Sequence, residues 1–125
     1  MTLLLDTHVL LWWLENHKSL TSAARAAIQD GTNTVYVSAA TAWEISIKRA
    51  LGKLRAPDDL EEALAANRFL PLPIHFPHAR LAGRLPRHHE DPFDRMLVAQ
   101  ARQESLTLVT HDVQLAVYEV PILWK

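Results

Sequence analysis

Short, continuously apolar runs alternate along the chain with longer stretches in which apolar residues recur every three or four positions. The runs at 2–5 (TLLL), 34–37 (TVYV) and 106–109 (LTLV) are aliphatic, aromatic or β-branched throughout. This pattern predicts strands covered on both faces, as in a parallel sheet. Two proline-punctuated runs, 69–74 (FLPLPI) and 121–124 (PILW), predict two more strands, the first at a sheet edge because proline cannot donate to a ladder. Between the strands the spacing predicts helices. One runs from a cap at Asp6 or Thr7 to about Asn16, and one from Thr21 or Ser22 to Asp30, stopped by Gly31. A third runs from a Ser38 cap to Gly52, with Trp43, Ile47, Ala50 and Leu51 as its core-facing stripe. Asp58 or Asp59 opens a helix to about Asn67, Pro77–Ala82 forms a brief one, and Asp91-Pro92 opens one to about Glu104. Residues 83–90 (GRLPRHHE) read as a loop.

Strands alternating with helices predict an α/β fold: a three-layer α/β/α sandwich around a central, mainly parallel sheet. A length of 125 residues without repeat or linker fits one domain, 1–125. The absence of cysteine excludes disulfides and cysteine-based zinc sites and suits a reducing cytoplasm. Asp6 and Glu15 interrupt the apolar start and no basic residue precedes it, so neither a signal peptide nor a membrane span is expected. A formal charge of −1 excludes a globally basic nucleic-acid footprint. Basic residues nevertheless cluster at Lys48, Arg49, Lys53 and Arg55, and again at Arg80, Arg84, Arg87 and Arg95, where solvated helix faces are the simpler explanation.

The chemistry lies in the acids. Asp6 and Asp112 each stand one to three residues past an apolar strand, and in open α/β sheets ligands bind beyond the carboxyl ends of the strands. Each would also serve as a plain helix cap. Glu44 falls in the second turn of the helix after TVYV, where pairing with Lys48 is the alternative. In DPFD, Asp91 is a natural N-cap, which leaves Asp94 free to point into the same crevice. Unit charges ~4 Å apart repel by ~4 kcal/mol at an effective dielectric of 20. Four converging carboxylates therefore take up protons or hold a hard cation. Oxygen ligands without cysteine select Mg²⁺ or Mn²⁺, whose chemistry on phosphate esters is hydrolysis.

LLLDTHVLLWWL with Asp6, SAATAWEISIK with Glu44, HEDPFDRMLVAQA with Asp94 and LTLVTHD with Asp112 together resemble PIN-domain proteins, in particular the VapC-type toxins of bacterial type II toxin–antitoxin systems. The match spans nearly the whole chain in order. The resemblance implies a Mg²⁺- or Mn²⁺-dependent endoribonuclease that acts on RNA in the cytoplasm as a homodimer and is neutralised by a cognate VapB-type antitoxin. It carries the family's four acids to Asp6, Glu44, Asp94 and Asp112. Asp6, Asp94 and Asp112 would ligate the first ion, and Glu44 would act through water or a second ion. Thr110 would support the last acid and Asp91 would assist. The further acid found in some PIN proteins has no counterpart, since Val113 and Gln114 are uncharged, which leaves a second ion open. Attack of water on phosphorus would leave a 5′-phosphate and a 3′-hydroxyl. Arg84, Arg87 and Arg95 are candidate phosphate contacts, each steepening the salt dependence of binding by about one unit of slope. Residues 53–68 resemble the family's small helical clip, which receives the antitoxin's C-terminal segment.

Three other readings compete. A phosphoaspartyl phosphatase also places a nucleophilic Asp after its first strand, but it needs an acid two residues on, where His8 stands. A non-catalytic PIN-like module binding RNA or protein would show no metal dependence. A zinc site at His75/His78 or at His88, His89 and Glu90 would need three or four converging ligands. His8 and His111 adjoin proposed ligands, to orient them, to donate to phosphate or simply to line the rim. Adjacent Trp12 and Trp13 point ~100° apart on a helix, so either one is exposed for a partner or the helix buries a wide face.

Overall fold

The computed structural model describes residues 1–125. Its sheet is built around β1 (Thr2–Leu5), whose Leu3, Leu4 and Leu5 are fully buried. On one side of β1 lies β2 (Thr34–Ser38), followed by β3 (Leu70–Leu72). On the other lie β4 (Thr107–Val109) and β5 (Ile122–Leu123), giving the order β3-β2-β1-β4-β5. All four pairings are parallel, as continuous apolar runs demand. Pro71 sits in the edge strand β3, where a missing N–H disturbs no inner ladder.

Six α-helices flank the sheet: α1 (Thr7–Glu15), α2 (Ser22–Gln29), α3 (Ala39–Ala50), α4 (Leu60–Ala66), α5 (Phe76–Arg84) and α6 (Pro92–Gln103). A 3₁₀ turn at Val113–Tyr118 was not expected; Asp112 caps it and Glu119 closes it at φ 62°. Alternate residues of each strand feed two cores. Leu3, Leu5, Val35, Val37 and Val109 pack with α1 and α2, while Leu4, Leu72 and Leu108 pack with Leu97, Val98 and Ala101 of α6. The three-layer sandwich is thus present.

Several local expectations shift. Helix α2 ends at Gln29 with Asp30 as its cap, as expected, but Gly31 beyond it does not take a positive φ; the glycine that does is Gly52, at 70°. Helix α5 starts one residue early and takes Gly83 and Arg84 from the expected loop. Within 53–68 only α4 is helical, capped by Asp59, which accepts from Glu62 N–H. The stripe assigned to the core on α3 faces outward: Trp43 is 63 % exposed and Leu51 61 %. The face that meets the protein carries Ala40, Thr41, Glu44 and Ile45 instead. An i, i+4 stripe records which residues share a face, and small residues let the opposite face approach the sheet more closely. Trp12 and Trp13 are both half-buried against the same core, so the wide-face alternative holds.

Candidate metal centre

The chain leaves β1 for β2 and β3 on one side and returns to β4 on the other, so the carboxyl ends of β1 and β4 flank the switch point where such sheets form a crevice. Asp6 directly follows β1, and Thr110 to Asp112 follow β4. Helix α3 leaves the same edge after β2 and brings Glu44 in its second turn. Helix α6 starts at that edge before running back toward β4, which puts Asp94 in its first turn. Asp6, Glu44, Asp94 and Asp112 all line one cleft of about 290 Å³, together with Thr7, His8, Lys48, His89, Asp91 and His111. None of these ten residues is hydrophobic, and five are acids against one lysine and three histidines.

The buried acids are held by specific donors. Asp6 Oδ1 accepts the Val9 N–H at 2.8 Å, which caps α1, and Oδ2 accepts the Thr110 hydroxyl at 2.5 Å. Thr110 in turn accepts the Asp112 N–H at 3.0 Å, so its hydrogen goes to the first acid and its oxygen positions the backbone of the last. Glu44 Oε1 accepts the Thr7 hydroxyl at 2.6 Å and Oε2 accepts Lys48 Nζ at 2.5 Å. The i, i+4 pair with Lys48, set as the alternative to a crevice role for Glu44, therefore forms inside the cleft itself. A bond to Ser38 anchors the far end of this frame: buried Gln100 of α6 accepts its hydroxyl at 2.5 Å and donates to the Pro73 carbonyl at 3.2 Å.

Asp94 and Asp112 are less firmly held. Their side chains are 27 % and 29 % exposed, and His89 Nε2 stands 3.5 Å and 3.2 Å from them. One ligand atom from each of the three residues falls within a 4.8 Å cluster. His89 Nδ1 accepts the Asp91 N–H, so the hydrogen of the neutral ring sits on Nε2 and faces the acids as a donor. Asp91 accepts from Phe93 and Asp94 N–H, the cap role expected for it.

The charges are not balanced. Burial, then the Asp91 carboxylate, pushes the Asp94 carboxyl up to about 7, with Asp6 and Glu44 adding to the rise and His89 opposing it. Burial also raises Asp6 above the usual carboxylate range, against hydrogen bonds from Thr110 and Val9 and the nearby His111 and His8. The Glu44 hydrogen bond raises Lys48. Carboxylates this crowded hold protons near neutrality or take a cation, and their oxygen donors fit Mg²⁺ or Mn²⁺.

The three arginines singled out in the sequence lie outside the cleft. Arg95 donates to the carbonyls of Ala82, Leu85, Pro86 and His89 and so braces the α5–α6 loop; its guanidinium is committed there rather than open to phosphate. Arg87 lines a neighbouring depression of about 320 Å³ that shares His89 with the cleft. Arg84 is exposed at the end of α5. The HFPH pair does not form a metal site: His78 is buried, accepts the His75 N–H and reaches Glu104 at 2.9 Å. Thr7 is the site residue that sequence reasoning missed, and His89, weighed there only as a zinc ligand beside His88 and Glu90, instead meets Asp94 and Asp112. Thr7 looked like a second helix-cap candidate, and only its nearness to Glu44 reveals its task.

The PIN domain family profile matches residues 3–120. No curated protein matches the chain in sequence. Among solved structures it is similar to VapBC2 from Rickettsia felis bound to a DNA fragment from their promoter, at 15% identity over 100% of both chains and a TM-score of 0.71. A toxin–antitoxin complex from Klebsiella pneumoniae aligns at 16% identity over 96% of this chain and 94% of that one, with TM-score 0.68. FitAcB from Neisseria gonorrhoeae aligns at 23% identity over 97% and 96%, with TM-score 0.60. At these identities the likeness is one of fold.

Proposed function

The chain belongs to the PIN domain family, and from that premise we propose that it is a divalent-metal-dependent endoribonuclease, the toxin half of a type II toxin–antitoxin pair. The observation that carries this reading is the meeting of Asp6, Glu44, Asp94 and Asp112, from four separate parts of the chain, in one wholly polar cleft. Asp6, Asp94 and Asp112 would hold Mg²⁺ or Mn²⁺, with Glu44 acting through water or a second ion. When bound, such an ion supplies charge neutralisation at phosphorus and a more acidic water.

The protein's own groups do the positioning. Thr110 and the Val9 N–H keep Asp6 in one rotamer, so ordering it costs nothing when a cation arrives. Thr7 and Lys48 hold the Glu44 side chain in place inside the protein. Asp94 would shed its proton as positive charge enters the cleft. Arg87, which lines the depression beside His89, would meet an RNA phosphate as it leaves the cleft.

The same reading includes an antitoxin, action in the cytoplasm and a homodimer. A depression of about 400 Å³ between α1 and the 53–57 segment, walled by Leu11, Leu14, Arg55 and Pro57, offers a peptide-sized groove at the clip. Trp43, Ile47 and Leu51 present an exposed apolar stripe for self-association. No helix is long and apolar enough to cross a membrane.

The test is incubation of the pure protein with total RNA, with Mg²⁺, with Mn²⁺ or with EDTA, followed by mapping of the new ends. Cleavage only with metal, leaving 5′-phosphates and 3′-hydroxyls, is expected. Undiminished cleavage in EDTA refutes the reading.

A further inference from the structure

The acid cleft repels the very polyanion it is proposed to cut, and its one lysine is tied to Glu44. Without a bound ion, affinity for the strand must therefore come from groups beside the acids. Two imidazoles line the cleft without hydrogen-bonding to any other group: His8 is exposed, and the His111 side chain is 46 % exposed, with Nδ1 3.8 Å from Asp6. Both rings pack on Trp12. The three centroids form a triangle with sides of 5.8 Å (His8–Trp12), 5.6 Å (His8–His111) and 5.3 Å (Trp12–His111), each pair inclined by 60–64°. Edge-to-face packing fixes the rings against one another while leaving outer faces open to solvent. Trp124 backs the group, 5.9 Å from Trp12, and the Thr21 hydroxyl ties its carbonyl down.

We propose that His8 and His111, backed by Trp12, form a stacking ledge for an unpaired nucleobase of the strand whose phosphate enters the acid cleft. The inference rests on the ribonuclease reading and adds the side chains that would hold a base of the bound strand. Bases inside a duplex are already stacked on both faces and cannot lie on such a ledge, whereas splayed bases stack readily on aromatic and imidazole planes. Stacking is tolerant of sequence, so the ledge selects strandedness rather than a particular base.

The experiment uses the full-length Asp94→Asn protein, so that RNA survives, in EDTA-containing buffer. The probe is a fluorescent hexaadenylate, compared with the same strand in a blunt duplex. Changing His8 and His111 together to Ala is expected to weaken single-strand binding about tenfold or more. Changing both to Tyr is expected to retain it, because the planar faces persist, and duplex binding is expected to be weaker and indifferent to either change. Unchanged affinity in the Ala variant, or loss in the Tyr variant, overturns the ledge. Metal-dependent cleavage by the unmodified protein is scored separately, so a failed ledge leaves the nuclease reading standing. If no variant binds the single strand, the ledge is refuted outright.

Discussion

The two pairs of acids in the cleft are built differently. Asp6 and Glu44 are almost wholly buried, and each of their four oxygens accepts a hydrogen bond from a residue of the protein. Asp94 and Asp112 are about a quarter exposed. The Asp94 carboxylate accepts no hydrogen bond, its nearest donor being His89 at 3.5 Å, and Asp112 has only His89 and the Gln114 N–H. A buried carboxylate without donors would be prohibitively unstable, so the first pair had to be completed by the fold. The second pair is left electrically unfinished, and that deficit is what a cation would fill. The contrast separates a permanent frame from a loading face.

The comparison breaks most directly at Asp94. Asp94→Asn is expected to keep the far-UV circular dichroism of the parent and to lower Mn²⁺-dependent cleavage by more than the about 10–100-fold that loss of a supporting partner costs. Cleavage at the parental rate would show that the loading face lies elsewhere. On the frame, Thr110→Val leaves Asp6 one hydrogen bond short; a drop of about 10–100-fold in metal affinity is expected by calorimetry. Thr7→Val should act likewise through Glu44, and if both variants bind metal normally the frame is not a frame.

Proton linkage sharpens the contrast further. Folded Asp94 keeps its proton to about pH 7, while the unfolded chain releases it near 3.8. Between those values the folded state holds more protons, so raising the pH favours unfolding; the raised Asp6 carboxyl acts in the same direction. Urea denaturation in EDTA should show stability falling as pH rises from about 4 to 7, with Asp94→Asn about 1–2 kcal/mol more stable than the parent at neutral pH once solvent screening is allowed for. Equal stability at pH 7 would mean that the crowding is harmless. The smallest effect is expected from His89→Ala. Its partly exposed contacts to Asp94 and Asp112 are worth less than about 1 kcal/mol, so apo stability should barely move. A large loss would make His89 part of the frame.

Much of this was legible in the chain itself. Apolar runs ending in Asp6 and Asp112 located two strands and the edge where they stop, because a fully covered strand must be apolar throughout. Ser38, the Asp58–Asp59 pair and Asp91 marked helix starts through the N–H groups that Ser38, Asp59 and Asp91 cap, and these are local interactions that spacing records. What spacing does not record is which face of a helix is covered. The α3 stripe of Trp43, Ile47 and Leu51 predicted the wrong one, and only packing against the sheet turned Glu44 inward. Nor could sequence show that Arg95 would bind four carbonyls, that His89 would reach two acids, or that Thr7 would meet Glu44 across 37 residues. Local structure follows from neighbours along the backbone, whereas desolvation and charge depend on neighbours through space, which exist only once the chain has folded.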